Sequence, residues 1–119
     1  MPGTICQVRD MNNYIQVITT ISDKRGAEKI ADAIIGSNLA ACVQILGPIK
    51  SIYRWKGKIE TAREWVCVIK TRKSLYKKVE KAIKENHPYE VPEIIAVSIA
   101  KGSKDYLKWL SNETVKKYG

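Results

Sequence analysis

The chain has 119 residues, 45% of them hydrophobic, and carries 21 basic against 12 acidic side chains, for a formal charge of +9. That length supports one ordinary core. Apolar runs such as Ile94-Ile95-Ala96-Val97 fall far short of the ~20 residues a bilayer-crossing helix requires, and the first residues lack a basic-then-apolar export pattern, so a cytoplasmic protein without a membrane span is expected.

Residues 1–12 show no sustained periodicity and read as an N-terminal extension, with a single domain over 13–119. Tyr14 to Thr20 is rich in β-branched residues and reads as a strand. Ser22 and Asp23 then cap a helix whose Ala27, Ile30, Ala31, Ile34 and Ile35 fall on one stripe, with Gly36 and Asn38 as its stop. From Ala41 to Thr71 the residues are almost all strand formers, broken at Gly47-Pro48 and at Lys56-Gly57. This predicts a hairpin with a tight turn, Tyr53 opposite Glu60 and Ser51 opposite Ala62, and a bulge or bend at Gly47-Pro48.

Ser74 is the expected cap of a second helix with Leu75, Tyr76, Val79, Ala82 and Ile83 inward, ended by Pro88. Its lysines Lys77, Lys78, Lys81 and Lys84 read as a solvated face. Pro92 opens a last strand over 93–100, and Gly102-Ser103 starts a short helix carrying Tyr106, Leu107 and Leu110. Strand, helix, two strands, helix, strand is the split-βαβ, ferredoxin-like α+β order, with both helices on one face of a four-stranded antiparallel sheet. A hairpin arm over 42–55 is much longer than an ordinary strand, so its tip should project. Ile49, Ile52, Tyr53, Trp55 and Ile59 would then be exposed beside unpaired edges, for which self-association is the simplest cover.

The chemistry is sparse. Cys6, Cys42 and Cys67 are an odd set without C-x-x-C spacing, which argues against a disulfide framework and a structural zinc site. A hydrolase would have to use His87, the one histidine, yet no stretch resembles a strained nucleophile turn, and enzyme activity is not expected. The charge would attract nucleic acid, but Glu64 to Lys70 lacks the basic-Gly-aromatic signature of RNA-recognition domains. Arg25-Gly26 resembles an acylphosphatase phosphate loop, but the strand that should supply an asparagine has none. The stretch His87-Pro88-Tyr89-Glu90-Val91-Pro92-Glu93 fixes an imidazole, a phenol and two carboxylates between prolines. It fits metal or anion chemistry, and equally a rigid turn with His87 in a structural hydrogen bond.

The runs Leu39-Ala40-Ala41-Cys42-Val43, Ser51 to Glu60, Ile69-Lys70-Thr71, His87 to Ile94 and Asp105 to Leu110 closely resemble the CutA family of divalent-cation tolerance proteins. The resemblance implies a PII-like homotrimer built through the long strands and an association with copper, zinc or other divalent cations, with no organic cofactor. It also leaves open a signalling or interaction trimer that meets a small ligand or protein partner. Of the family's metal ligands the resemblance carries over His87, with Glu90, Glu93 or a neighbouring subunit's carboxylate expected to complete the shell; Lys70, Tyr53 and Tyr89 would line a cleft between subunits. Copper-binding members carry a cysteine where this chain has Thr19 and a paired histidine where it has Asn86, so a weak site favouring Cu(II) or Zn(II) over Cu(I) is expected.

Overall fold

The computed structural model describes residues 13–115; the expected extension at 1–12 and Cys6 lie outside the described residues. Strand β1 (Tyr14–Ile21) alternates between two faces of a sheet, and helix α1 (Lys24–Gly36) follows directly. Asp23 is the cap: its carboxylate accepts the backbone N–H of Gly26, satisfying one of the donors a helix start leaves open. The turn after α1 holds Asn38 at φ 58°, the left-handed conformation that asparagine tolerates.

Strands β2 (Cys42–Trp55) and β3 (Lys58–Arg72), of 14 and 15 residues, form the long hairpin. Lys56 and Gly57 have φ of 50° and 80°, the positive values a type I′ turn needs at both central positions. Pairing outward from that turn sets Tyr53 opposite Glu60 and Ser51 opposite Ala62, as expected. The register shifts between Leu46 and Ile49, where Gly47-Pro48 is a cis bond. A side chain at Gly47 would stand 2.4 Å from the Trp65 ring, so the bulge lies flat on an aromatic face.

That shift controls which side chains share a surface. Directly paired residues point to the same face, so the partners of Val68 and Val66 are Gln44 and Leu46, while those of Glu64, Ala62 and Glu60 are Ile49, Ser51 and Tyr53. Gly47 and Pro48 stand against the single residue Trp65, and that one extra residue exchanges the faces of the outer arm. Without the bulge, Tyr53 would point to the opposite side.

A 3₁₀ turn (Lys73–Leu75) leads into helix α2 (Tyr76–Glu85). Here the expectation fails in detail: Ser74 lies within the 3₁₀ turn, and α2 starts without a side-chain cap. Lys77, Lys78, Lys81 and Lys84 do form a solvated face. Strand β4 is Ile94–Ser98, shorter at both ends than the expected 93–100, and helix α3 is Lys104–Glu113, capped by Ser103.

The sheet order is β2-β3-β1-β4, antiparallel throughout, which is the ferredoxin-like arrangement. Odd-numbered residues of β1 and β3 meet the helices: Ile15, Val17 and Ile21 with Cys67 and Ile69 pack on Ala27, Ile30 and Ile34 of α1 and Val79 and Ile83 of α2. The other face is covered at one end by α3 and, around Thr20 and Glu64, by the loop that precedes β4. At the α3 end Leu110 is buried, the Tyr14 hydroxyl meets Ser111 at 2.7 Å, and Arg72 Nε donates to Thr114 Oγ1 at 2.8 Å. Tyr106, expected inward, is exposed. Leu46, Ile95 and Val97 remain open on this face, and Ile52 and Ile59 on the hairpin are 66% and 67% exposed. The hairpin gives the chain extents of 56 × 28 × 21 Å.

Ile30 has no solvent exposure, so Ile30→Ala should lower unfolding free energy by about 2–5 kcal/mol through lost burial and a residual cavity. Asp23→Ala should cost about 1 kcal/mol by removing the cap. Urea unfolding checks the pair, and equal losses would contradict this division between core and cap.

Candidate functional site

A cavity of about 630 Å³ opens where the hairpin leaves the sheet, between the outer arm of β2 and the loop from Tyr89 to Glu93 that precedes β4. Its walls include Thr20, Ser51, Tyr53, Trp55, Glu64, Tyr89, Glu90 and Glu93. Four of the residues singled out in the sequence, Tyr53, Tyr89, Glu90 and Glu93, are thus brought to one place. Glu64 is new. It is only 6% exposed, and its Oε2 accepts the Tyr89 hydroxyl at 2.8 Å. An acidic residue alternating with Val66 and Val68 on one strand face was the signal that could have found it.

His87 stands behind this wall. Its Nε2 lies 2.7 Å from the Thr20 carbonyl oxygen, and its Nδ1 accepts the Tyr89 N–H at 3.2 Å, which together fit the tautomer with the proton on Nε2. The His87 and Tyr89 rings meet edge to face with centroids 4.6 Å apart. Both imidazole nitrogens are therefore engaged by the backbone. The ring locks the loop to β1 and turns the Tyr89 phenol toward Glu64.

A divalent ion needs several donors converging on one point. Among the described residues, no group of three or more His, Cys, Asp or Glu side chains comes close enough to hold one. Asn86 spends its side-chain amide on the Ala82 carbonyl at 2.8 Å, and the Thr19 hydroxyl oxygen is buried on the helix side of the sheet without a hydrogen-bond partner. The donor set of one chain does not by itself fit a ligated metal.

Lys70 is not part of the cavity; it lies at the far end of β3, its Nζ 5.8 Å from the centre of the Tyr106 ring of α3. Cys67 is fully buried, its thiol pushed up to about 11 by burial, with its Sγ 3.8 Å from the Ala27 carbonyl oxygen. Such a thiol is a core hydrophobe rather than a nucleophile. Arg25 is exposed, and the N–H of Gly26 is taken by Asp23, so no phosphate cradle stands open there.

The fold and cleft define a ferredoxin-like chain with an over-long hairpin and an acidic, aromatic hollow at its root. Residues 15–113 match the family model described as CutA1 divalent ion tolerance protein. The chain is 44% identical over 100 residues to "Protein CutA 1, chloroplastic" of Oryza sativa, covering 84% of this chain and 56% of that protein. It is 40% identical over 98 residues to the divalent-cation tolerance protein CutA of Thermus thermophilus, covering 82% of this chain and 95% of that one. The crystal structure of CutA1 from Oryza sativa superposes with a TM-score of 0.85 at 41% identity, over 91% of this chain and 99% of the other. The chain belongs to the CutA1 divalent ion tolerance family. It spans about half the length of that plant relative, which is named chloroplastic. No helix among the described residues is long and apolar enough to cross a membrane.

Burial, and then the Glu64 carboxylate, push the Tyr89 phenol up to about 12 from its ordinary 10.0. A group with a raised folded pKa adds stability that is fully present below its unfolded value and is lost as pH rises through the folded one. Stability should therefore fall more steeply between pH 10 and 12 in the wild type than in Tyr89→Phe. Urea midpoints across that window check it, and parallel curves would show that burial and Glu64 do not hold the Tyr89 phenol protonated.

Proposed function

We propose that the protein acts as a homotrimeric divalent-cation tolerance protein, without catalytic activity, whose cation site is completed between subunits. Membership of the CutA1 family carries this reading. The exposed hairpin supports the assembly: Leu46, Ile52, Tyr53, Trp55 and Ile59 are bared beside free strand edges, a surface that monomers seldom leave open. The two described cysteines, Cys42 and Cys67, are free thiols, which supports a reducing compartment such as the cytoplasm.

Glu90 and Glu93 are exposed at the mouth of the cavity and are the carboxylates available to a cation there. With His87 they would form a weak, oxygen-rich site suited to Cu(II) or Zn(II). Cu(I) has no thiolate to take, because Thr19 and Asn86 occupy the softer positions. A single chain falls short of a full shell, so carboxylates of a neighbouring subunit are the natural complement.

Sedimentation equilibrium in dilute neutral buffer should give the mass of a trimer, and a monomer at all concentrations would overturn the assembly. Ile52→Asp or Ile59→Asp should shift the mass toward monomer, since a buried unpaired charge costs several kcal/mol, roughly. Micromolar Zn(II) or Cu(II) should raise the midpoint of thermal unfolding, by mass action worth about 2.7 kcal/mol at a hundred times Kd. Glu90→Gln with Glu93→Gln should lose that shift. A wild type indifferent to both ions would defeat the cation reading.

A further inference from the structure

We infer that the outer face of α2 binds a linear polyphosphate, an unbranched chain of phosphates held by Lys77, Lys78, Lys81 and Lys84. Helices α1 and α2 cover one face of the sheet, whereas the proposed assembly is built from the hairpin and the strand edges, so this surface stays outside it. The inference goes beyond divalent-cation tolerance and does not depend on it.

The charge on this face is one-sided and local. Residues 70–85 hold seven basic side chains against two acidic ones, Glu80 and Glu85, a surplus of five within a formal +9. Around α1, in the same layer, exposed Lys24, Arg25 and Lys29 are balanced by exposed Asp23, Glu28 and Asp32. On α2 the fold gains nothing from the arrangement. Lys81 lies three or four residues from Lys77, Lys78 and Lys84, spacings at which like charges on a helix repel. Lys77 and Lys78 stand in the first turn, at the positive end of the helix dipole, with no acidic residue beside them there. The one ion pair on this face among the described residues runs from Lys77 Nζ to Glu80 at 3.9 Å, with the lysine side chain 88% exposed, and Glu80 also accepts the Tyr76 hydroxyl. Anionic groups from outside would offset both the mutual repulsion and the dipole.

The surroundings select the kind of anion. Val79 and Ile83 of α2 are buried and Tyr76 and Ala82 half-buried, so the helix exposes no large apolar side chain. A single-stranded nucleic acid needs exposed rings on which its bases stack, and a helix that lies in a membrane surface needs an apolar edge to insert. Lysine alone meets phosphate as a point charge. From Lys77 to Lys84 the helix advances about 10 Å, so one flexible chain can meet the four ammonium groups in turn. In the proposed trimer the three copies of this face point away from one another. A duplex, stiff over about 150 base pairs, meets one of them at a time, whereas a flexible chain reaches several and gains by avidity.

Titration calorimetry of the full-length protein in metal-free buffer, with long-chain sodium polyphosphate over a series of salt concentrations, tests this. The logarithm of the affinity should fall linearly with the logarithm of salt concentration, and orthophosphate at the same phosphate concentration should not bind. Lys78→Gln with Lys81→Gln should weaken polyphosphate at least about tenfold and lower the salt slope by about one per lysine, with circular dichroism unchanged because both side chains lie in solvent. Arg25→Gln with Lys29→Gln removes the same charge from α1 and should leave affinity and slope near those of the wild type. Equal losses from the two pairs, no binding of polyphosphate at low salt, or tighter binding of a duplex DNA at equal phosphate concentration would overturn the inference. A monomeric protein that bound polyphosphate with the same dependence on α2 would uphold it while the proposed assembly failed.

Discussion

The register shift at Gly47-Pro48 is the constraint on which the site depends. A strand has period two, so a 14-residue arm without interruption would present one set of side chains on each face from end to end. The inner part of β2 needs Val43 and Ile45 toward the helix layer, where they pack against the core. The outer part has no helix layer to meet. By exchanging faces, the bulge lets the inner arm serve the core while the outer arm turns Ser51, Tyr53 and Trp55 toward Glu64 and the loop that enters β4. The absence of a side chain at Gly47 permits this locally, because Trp65 fills the space a Cβ would need.

The distribution of charge follows from the same geometry. Lysines of α2 lie in solvent on the outer layer, and Lys50, Arg54 and Arg63 of the hairpin lie on the face that the bulge turns away from the cleft. What remains facing inward at the root is acidic and aromatic. Net charge therefore describes the far field of this protein, which attracts anions, while the concave site is organised for the opposite sign. The Tyr89 hydroxyl on Glu64 is part of that organisation, since a phenol donor moderates the burial of a carboxylate without neutralising it.

What was legible in the sequence was local. The cross-strand pairs Ser51–Ala62 and Tyr53–Glu60 follow from a turn whose residues tolerate positive φ, and Asp23 caps because a short carboxylate beside an apolar stripe has one good use. The topology came from the order of periodic segments, and the family resemblance from dense motifs at fixed spacing. Ser74 failed as a cap because the chain tightens into a 3₁₀ turn before α2, a choice of the junction with β3 rather than of the residue. Lys70 shares a strand and a face with Glu64, yet six residues of extended chain carry it to the α3 end, so no periodicity argument separates them. Strand patterning marks Glu64 only as an acidic residue alternating with Val66 and Val68; its burial by a loop far away in sequence is what that patterning does not encode.

His87 joins these levels. The β1–β4 ladder begins at Thr19 opposite Ile94, so the carbonyl of Thr20 lies just beyond the pairing with that edge strand, and the imidazole Nε2 reaches it. The Nδ1 of the same ring takes the Tyr89 N–H, which a loop between two prolines could not satisfy within itself. Tyr89 is then held where its hydroxyl meets Glu64. Backbone accounting at one end of the sheet thus sets the floor of the cleft. The lone pair on Nδ1 that accepts the Tyr89 N–H is also the one a metal ion would need, since Nε2 already bonds to a carbonyl. A cation taking His87 would have to displace that N–H and loosen the loop that carries Glu90 and Glu93. For this chain, metal at the imidazole and the Tyr89 N–H compete for one lone pair, whereas metal held by the rim carboxylates alone leaves the ring, the loop and Glu64 as they are.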